Sequence, residues 1–238
     1  MTPKHLTVGS VDHIHQIFRA YRSHGRTGWW FRGQADSSWP LLPKAGRSEF
    51  HLPGDRSIKR FNTWCKQAIA YDQNLPDNTW ERLAVAQHFG LATCLLDWTV
   101  NPLVAVYFAC FEHQDTEAAV YCFDPKTFVN ENVLDLEELK CNGIGFIPRA
   151  ISQRVINQRA VFTVHLPPTE EIKVQASPVL TDHPNLVKLS IPSTLKADLL
   201  KMTSDYGIDS VTLFPDLEGL SKHFNWETKL MSARKTAA

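Results

Sequence analysis

The chain has 238 residues, and its 25 Lys and Arg balance 25 Asp and Glu, so the formal net charge is zero. A composition of 43 % hydrophobic and 21 % charged residues excludes a disordered chain, a collagen and a coiled coil. At this length folding buries about 70–75 % of the unfolded chain's surface, enough for one sizeable domain without disulfide or metal staples.

Zero net charge also removes the general argument for nucleic-acid binding, which relies on Lys and Arg neutralising phosphates. Local basic groups remain: Gly25-Arg26 with Arg22 and Arg32, or Arg149, Arg154 and Arg159. The longest apolar run, 103–111, falls short of the roughly 20 residues of a membrane helix. Met1-Thr2-Pro3-Lys4-His5 offers no apolar signal core. The expectation is a cytoplasmic protein with no membrane partner. Five cysteines (Cys65, Cys94, Cys110, Cys122, Cys141) form no CxxC pair, which reads as reduced thiols and no metal site. Cys94 is either a small buried residue or a nucleophile.

In chain order, Trp29-Trp30-Phe31-Arg32 is dense in aromatics and ends at a glycine, as a strand entering a turn does. Residues 58–71 carry a helical apolar stripe through Ile58, Phe61, Trp64, Cys65, Ala68 and Ile69. Residues 80–89 repeat it and stop at Gly90, a natural left-handed terminator. Residues 91–98 read as a buried strand. Thr99 or Asn101 is placed to cap the next helix, with Pro102 in its first turn. That helix, 103–112, is apolar almost all round and is expected to be buried on most sides.

Strands are expected at 119–123, 161–165 and 186–191, a helix at 192–206 closed by Gly207, a short strand at 211–214 and a last helix at 216–224. The stretch 126–148, with acidic residues at 135–138 and then Cys141-Asn142-Gly143-Ile144-Gly145, reads as an irregular insertion. Residues 232–238 are expected to fray. Strands and helices mix without regular βαβ repetition, which favours an α+β fold over a doubly wound parallel sheet.

Three places hold polar residues that core packing does not explain. The first is Phe31-Arg32-Gly33-Gln34. An arginine among aromatics is costly to bury unless an anion meets it, and its rigid fork suits phosphate or carboxylate. It meets either an external anion or an internal carboxylate such as Asp97. The glycine lets a ligand or another strand approach closely.

The second is residues 86–99, where Gln87, His88, Thr93, Asp97 and Thr99 interrupt an apolar stretch. Asp97 either caps the following helix or faces a ligand, and His88 is either a half-buried structural histidine or a proton-handling group. The third is residues 149–162. If helical, Arg154 and Gln158 stand one turn apart on one face, which is otherwise a solvated surface.

Together these residues resemble the FRG domain family. The likeness runs through Phe31-Arg32-Gly33-Gln34, Trp39-Pro40-Leu41 with Pro43 and Arg47, Ala86-Gln87-His88-Phe89-Gly90-Leu91 and Leu95-Leu96-Asp97-Trp98-Thr99. It continues with Asn101-Pro102-Leu103-Val104-Ala105, Ile147-Pro148-Arg149, Arg154, Gln158, Phe162-Thr163 and Leu213-Phe214-Pro215-Asp216-Leu217. Matches span about residues 29–224, so 1–238 is expected to be a single FRG domain with a partly frayed tail over 225–238. Ala92, Cys94 and Ala160 stand where the family often has Pro, Arg and Gly.

The resemblance implies a layout similar to the ADP-ribosyltransferase fold: a single α+β domain whose mixed, mostly antiparallel sheet is curved and split, flanked by helices, and grips NAD in a cleft. It implies roles for Arg32, Gly33, Gln34, Gln87, Trp98, Thr99 and Arg154 in holding NAD as co-substrate, and for Asp97, His88 and Gln158 in catalysis. Gln158 occupies a position where transfer usually takes a glutamate, and a neutral amide hydrogen-bonds without supplying charge.

The implied activity is ADP-ribosyl transfer or NAD hydrolysis, in a bacterial or phage conflict or defence effector, with a protein or nucleic acid as acceptor. The alternative is a non-catalytic module for a phosphorylated small molecule or nucleic acid, with Trp29, Trp30, Trp39 and Trp98 available to stack bases.

Overall fold

The computed structural model describes residues 3–22, 28–130, 136, 139–149, 152–177 and 184–236. The elements in order are β1 (Lys4–Thr7), α1 (Val11–Arg22), β2 (Trp30–Gln34), a 3-10 turn (Lys44–Gly46), α2 (Arg56–Ala68), α3 (Thr79–His88), β3 (Leu95–Thr99) and α4 (Pro102–Cys110). They continue with β4 (Ala118–Phe123), β5 (Cys141–Phe146), α5 (Gln153–Gln158), β6 (Ala160–Leu166), β7 (Leu186–Ile191), α6 (Ser193–Asp205), α7 (Ser210–Leu213) and α8 (Leu217–Thr236).

The strands form one sheet in the order β1-β7-β4-β2-β3-β6-β5. Among the named strands only β1 and β7 pair parallel; the other strand pairs are antiparallel. The fold is therefore α+β with a mixed, mostly antiparallel sheet, as its non-repeating strand–helix order anticipates.

The sheet is nearly divided in two. β4 pairs with β2 over five positions, Trp30↔Phe123 through Gln34↔Ala119, and β3 pairs with β6 over five, Leu95↔Val164 through Thr99↔Ala160. Between the halves, β2 and β3 pair at Phe31↔Thr99 alone. Beyond that point they diverge as a fork, with Arg32 on one prong and Asp97 on the other.

α4 is the buried helix that its composition predicts: Val104, Ala105, Val106, Tyr107, Ala109 and Cys110 are all buried. Asn101 caps it, its side chain accepting from Leu103 N at 3.1 Å, so Asp97 is not the cap. α4 lies against β2 so closely that a Cβ on Gly33 would sit 1.9 Å from Ala105 O and 2.6 Å from Ala109 N. The group that approaches Gly33 is thus a helix backbone. One core cluster joins α1, α4 and α6 to the sheet. A second packs α2 and α3 on β3, β5 and β6, and a third gathers Trp30, Leu41, Leu96 and Trp98.

Four expectations are corrected. The segment 211–214 is the one-turn helix α7, because Asp209 caps it (Thr212 N to Oδ1, 2.9 Å) and Leu213 is fully buried; its β-branched residues only imitate a strand. The supposed insertion 126–148 contains β5, whose register shifts between Asn142 and Ile144 around Gly143 at φ +75°, a bulge that hides strand periodicity. The acidic residues at 135, 137 and 138 lie outside the described residues. The final helix runs on past residue 224 to Thr236, with Trp226 packed on the core; residues 237–238 are not described. β1 and α1 precede the first predicted element.

Candidate functional site

A cavity of about 530 Å³ opens along the fork, within the range of small-molecule and cofactor sites, about 300–1,000 Å³. All ten residues singled out from the sequence border it: Arg32, Gly33 and Gln34 from β2, Gln87 and His88 from the end of α3, Asp97, Trp98 and Thr99 from β3, and Arg154 and Gln158 from α5. Trp39, offered as a base-stacking residue, borders it too, as do three charged residues that sequence reasoning did not assign to a site: Lys44, Arg47 and Glu112.

Arg32 sits at the fork with 14 % of its side chain exposed. Its Nη1 donates to the main-chain carbonyl of Asp97 at 2.8 Å, satisfying an acceptor that the diverging strands leave without a ladder partner. The Asp97 carboxylate stands off at 3.9 Å and accepts from Gln87 Nε2 at 3.0 Å. Arg32 Nε has no hydrogen-bond partner among the described residues. Burial pushes the Arg32 guanidinium below its ordinary pKa, Asp97 counters this in part, and Arg47 adds to it. The guanidinium is thus a nearly buried cation whose compensation inside the protein is incomplete.

Gln87 orients Asp97. Its Oε1 accepts from Thr93 Oγ1 at 2.6 Å, and its Nε2 also reaches Leu95 O at 3.4 Å. Both ends of the amide are therefore engaged by β3 and the turn before it. The Asp97 side chain remains 56 % exposed.

Thr99 Oγ1 donates to Gln158 O at 2.7 Å and accepts from Asn101 N at 3.0 Å, pinning α5 and the start of α4 to the fork. Gln158 Nε2 donates to Leu213 O at 3.1 Å. Arg154 and Gln158 do share a face of one helix, Gln153–Gln158, and Arg154 lies over the Phe214 ring at 4.6 Å. Of the trio Arg149, Arg154 and Arg159, Arg154 alone borders the cavity; Gly25 and Arg26 lie outside the described residues.

His88 makes no hydrogen bond among the described residues. Burial, and then Arg154, lower its affinity for a proton, so the ring is neutral at pH 7. Lys44 Nζ donates to Gly90 O at 3.0 Å. Arg47 forms no ion pair among the described residues. In sequence, Lys44 opens the tight turn after Pro43 and Arg47 follows it, and no local signal separates them from charges that face solvent.

Trp39 is 42 % exposed, whereas Trp29, Trp30 and Trp98 are buried. Trp98 donates its indole N–H to Thr163 Oγ1 at 2.9 Å and packs on Phe123. Base stacking on four tryptophans is thereby reduced to Trp39. Cys94 is buried and its thiol is pushed up to about 12, which excludes a thiolate nucleophile at neutral pH. No group of His, Cys, Asp and Glu suited to a metal ion occurs among the described residues, and none of the described helices is long and apolar enough to cross a membrane.

The family model for the FRG domain matches residues 27–118. Residues 27–118 carry an FRG domain. Its defining triplet divides the labour at the fork: Phe31 is buried and meets Phe18 edge-on at 5.5 Å, Arg32 faces the cavity, and Gly33 admits α4. The match covers every cavity residue from β2 to Glu112 and stops before Arg154 and Gln158. No curated protein and no solved structure matches the chain.

Proposed function

We infer that this FRG domain binds NAD along the fork and cleaves its nicotinamide–ribose bond, as an ADP-ribosyltransferase or NAD glycohydrolase. The observation that carries the reading is Arg32: a guanidinium almost enclosed, bordering a ligand-sized cavity, with its nearest carboxylate at 3.9 Å and turned toward Gln87. A phosphate supplies the charge it lacks and matches its fork.

The choice of NAD rests on the mixture of charge. Arg32, Lys44, Arg47 and Arg154 border the cavity together with Asp97 and Glu112. A wholly anionic ligand gains from the four cations and is repelled by the two carboxylates. NAD carries a pyrophosphate and, at the other end of its ribose, a cationic nicotinamide ring, so both signs find partners. Trp39 offers a face for adenine.

Mechanistically, the protein's task is to stabilise positive charge that develops on the ribose as the C1′–N bond lengthens. Asp97, oriented by Gln87 and exposed to the cavity, is suited to this. Gln158, whose amide is tied to Leu213 O, is suited to positioning.

The test incubates the protein with NAD and follows melting temperature and nicotinamide release. NAD is expected to raise the melting temperature, Arg32→Met to abolish the rise, and Asp97→Asn to keep the rise while slowing release about a hundredfold. A wild-type protein that NAD neither stabilises nor loses nicotinamide to overturns the reading. Stabilisation without release favours the binding-only alternative.

A further inference from the structure

A second, smaller pocket of about 80 Å³ adjoins the main cavity. It shares Gln87, His88, Asp97, Arg154, Gln158 and Ala160 with it and is also lined by Val155 and Phe162, which do not border the main cavity. At about 10–15 Å³ of such volume per water, it has room for several waters.

The polar groups of this pocket are unequally free. Gln87 is engaged at both ends of its amide, Gln158 Nε2 is bound to Leu213 O, and Arg154 lies over Phe214. His88 alone among them combines a proton-accepting atom with the absence of any hydrogen-bond partner among the described residues. Asp97 borders both spaces, so a sugar carbon held beside its carboxylate in the main cavity is also reached from the side pocket.

We propose that the side pocket is the nucleophile subsite: it seats the water that attacks the ribose carbon, and His88 accepts that water's proton. The inference rests on the NAD reading above. The C1′–N bond breaks with its electron pair leaving on nicotinamide, which departs neutral. The water oxygen bonds to C1′, one proton passes to His88, and the products are ADP-ribose and nicotinamide. Asp97 offsets the charge on the sugar between the two events. Hydrolysis, rather than transfer to a macromolecule, is the activity this subsite serves. The neutral state of His88 at pH 7 suits the role.

The test compares wild type, His88→Ala and Val155→Phe, the last filling the side pocket from a residue outside the main cavity. All three are expected to be stabilised by NAD. Nicotinamide release is expected to fall about a hundredfold in His88→Ala, which also loses the acid limb of the wild-type pH–rate profile. Val155→Phe is expected to lose at least about tenfold, and methanol to be trapped by wild type as the methyl glycoside of ADP-ribose. If Val155→Phe does not fold, His88→Ala and methanol trapping decide. Wild type that binds and cleaves NAD while His88→Ala cleaves it at the same rate, or wild type that traps no methanol, overturns the subsite and leaves the NAD reading standing. Wild type that neither binds nor cleaves NAD overturns both.

Discussion

Arg32 meets the main chain of Asp97 and not its carboxylate: Nη1 lies 2.8 Å from the carbonyl oxygen and 3.9 Å from Oδ2. The two residues therefore hold the fork together while neutralising each other only in part. A pair with one member more than half exposed is worth at most about 1 kcal/mol. A double-mutant cycle of Arg32→Met and Asp97→Asn, read by urea unfolding, is expected to give a coupling below about 1 kcal/mol. A coupling of several kcal/mol would make the two a structural ion pair and remove the case for an external anion.

Gly33 is where the helix touches the sheet. A methyl group there collides with Ala105 O and Ala109 N, two backbone atoms that shift only with α4 itself. Gly33→Ala is expected to destabilise the fold by about 3 kcal/mol or more, seen as a large drop in the urea midpoint. A variant that keeps wild-type stability and loses only ligand binding would show that the glycine serves the ligand and not α4.

A buried relay backs Trp98. Its indole N–H donates to Thr163 Oγ1, Thr163 Oγ1 lies 2.9 Å from His165 Nε2, and His165 Nδ1 lies 3.3 Å from Glu170 O. The direction is fixed from the far end: the Glu170 carbonyl only accepts, so the neutral ring carries its proton on Nδ1 and Thr163 donates to Nε2. Burial lowers the pKa of His165 from 6.5 to about 4, so the ring is neutral at pH 7. Because the unfolded chain binds the proton more readily, stability is full above pH 6.5 and falls as pH drops toward 4. The loss is about 3 kcal/mol. Urea unfolding at pH 7, 5.5 and 4 is expected to show it, and His165→Gln to flatten this part of the slope. An unchanged slope in that variant would assign the acid sensitivity elsewhere.

Lys196 is fully buried, with Nζ bonded to Ala35 O, Glu112 O, His113 O and Thr116 O at 2.9, 3.0, 2.7 and 3.4 Å. Ala35 and Glu112 also border the cavity, so one ammonium draws together two segments of its wall. Lys196→Met takes the ammonium from all four carbonyls, of which Ala35 O and His113 O keep Thr116 as a donor, and is expected to cost about 3 kcal/mol. Thermal unfolding checks this; a shift within about 1 °C would mean that water replaces the ammonium.

The parts of the fold that depend on one kind of periodicity were legible. The all-apolar helix α4, the stop at Gly90 and the strands β4, β6 and β7 follow from residue type alone. β5 was hidden by the bulge at Gly143, and α7 by Val211 and Thr212, whose strand preference loses to the Asp209 cap and the burial of Leu213.

The candidate site was legible wherever polar residues broke an apolar stretch, as Arg32, Gln87 and Asp97 do. Lys44, Arg47 and Glu112 were not, because a charged residue beside a turn or at a helix end looks the same whether it faces solvent or a cavity. Lys196 reads as the solvent-facing side of an amphipathic helix. Its four carbonyl partners come from distant loops that no local pattern joins.

The most direct measurement is calorimetric titration of NAD into the wild-type chain and into Arg32→Met, each first shown to be folded. Saturable heat with wild type and none with the variant is the predicted result. Equal heats for both proteins, or no heat with wild type, would contradict the account of the fork as a phosphate-binding cleft.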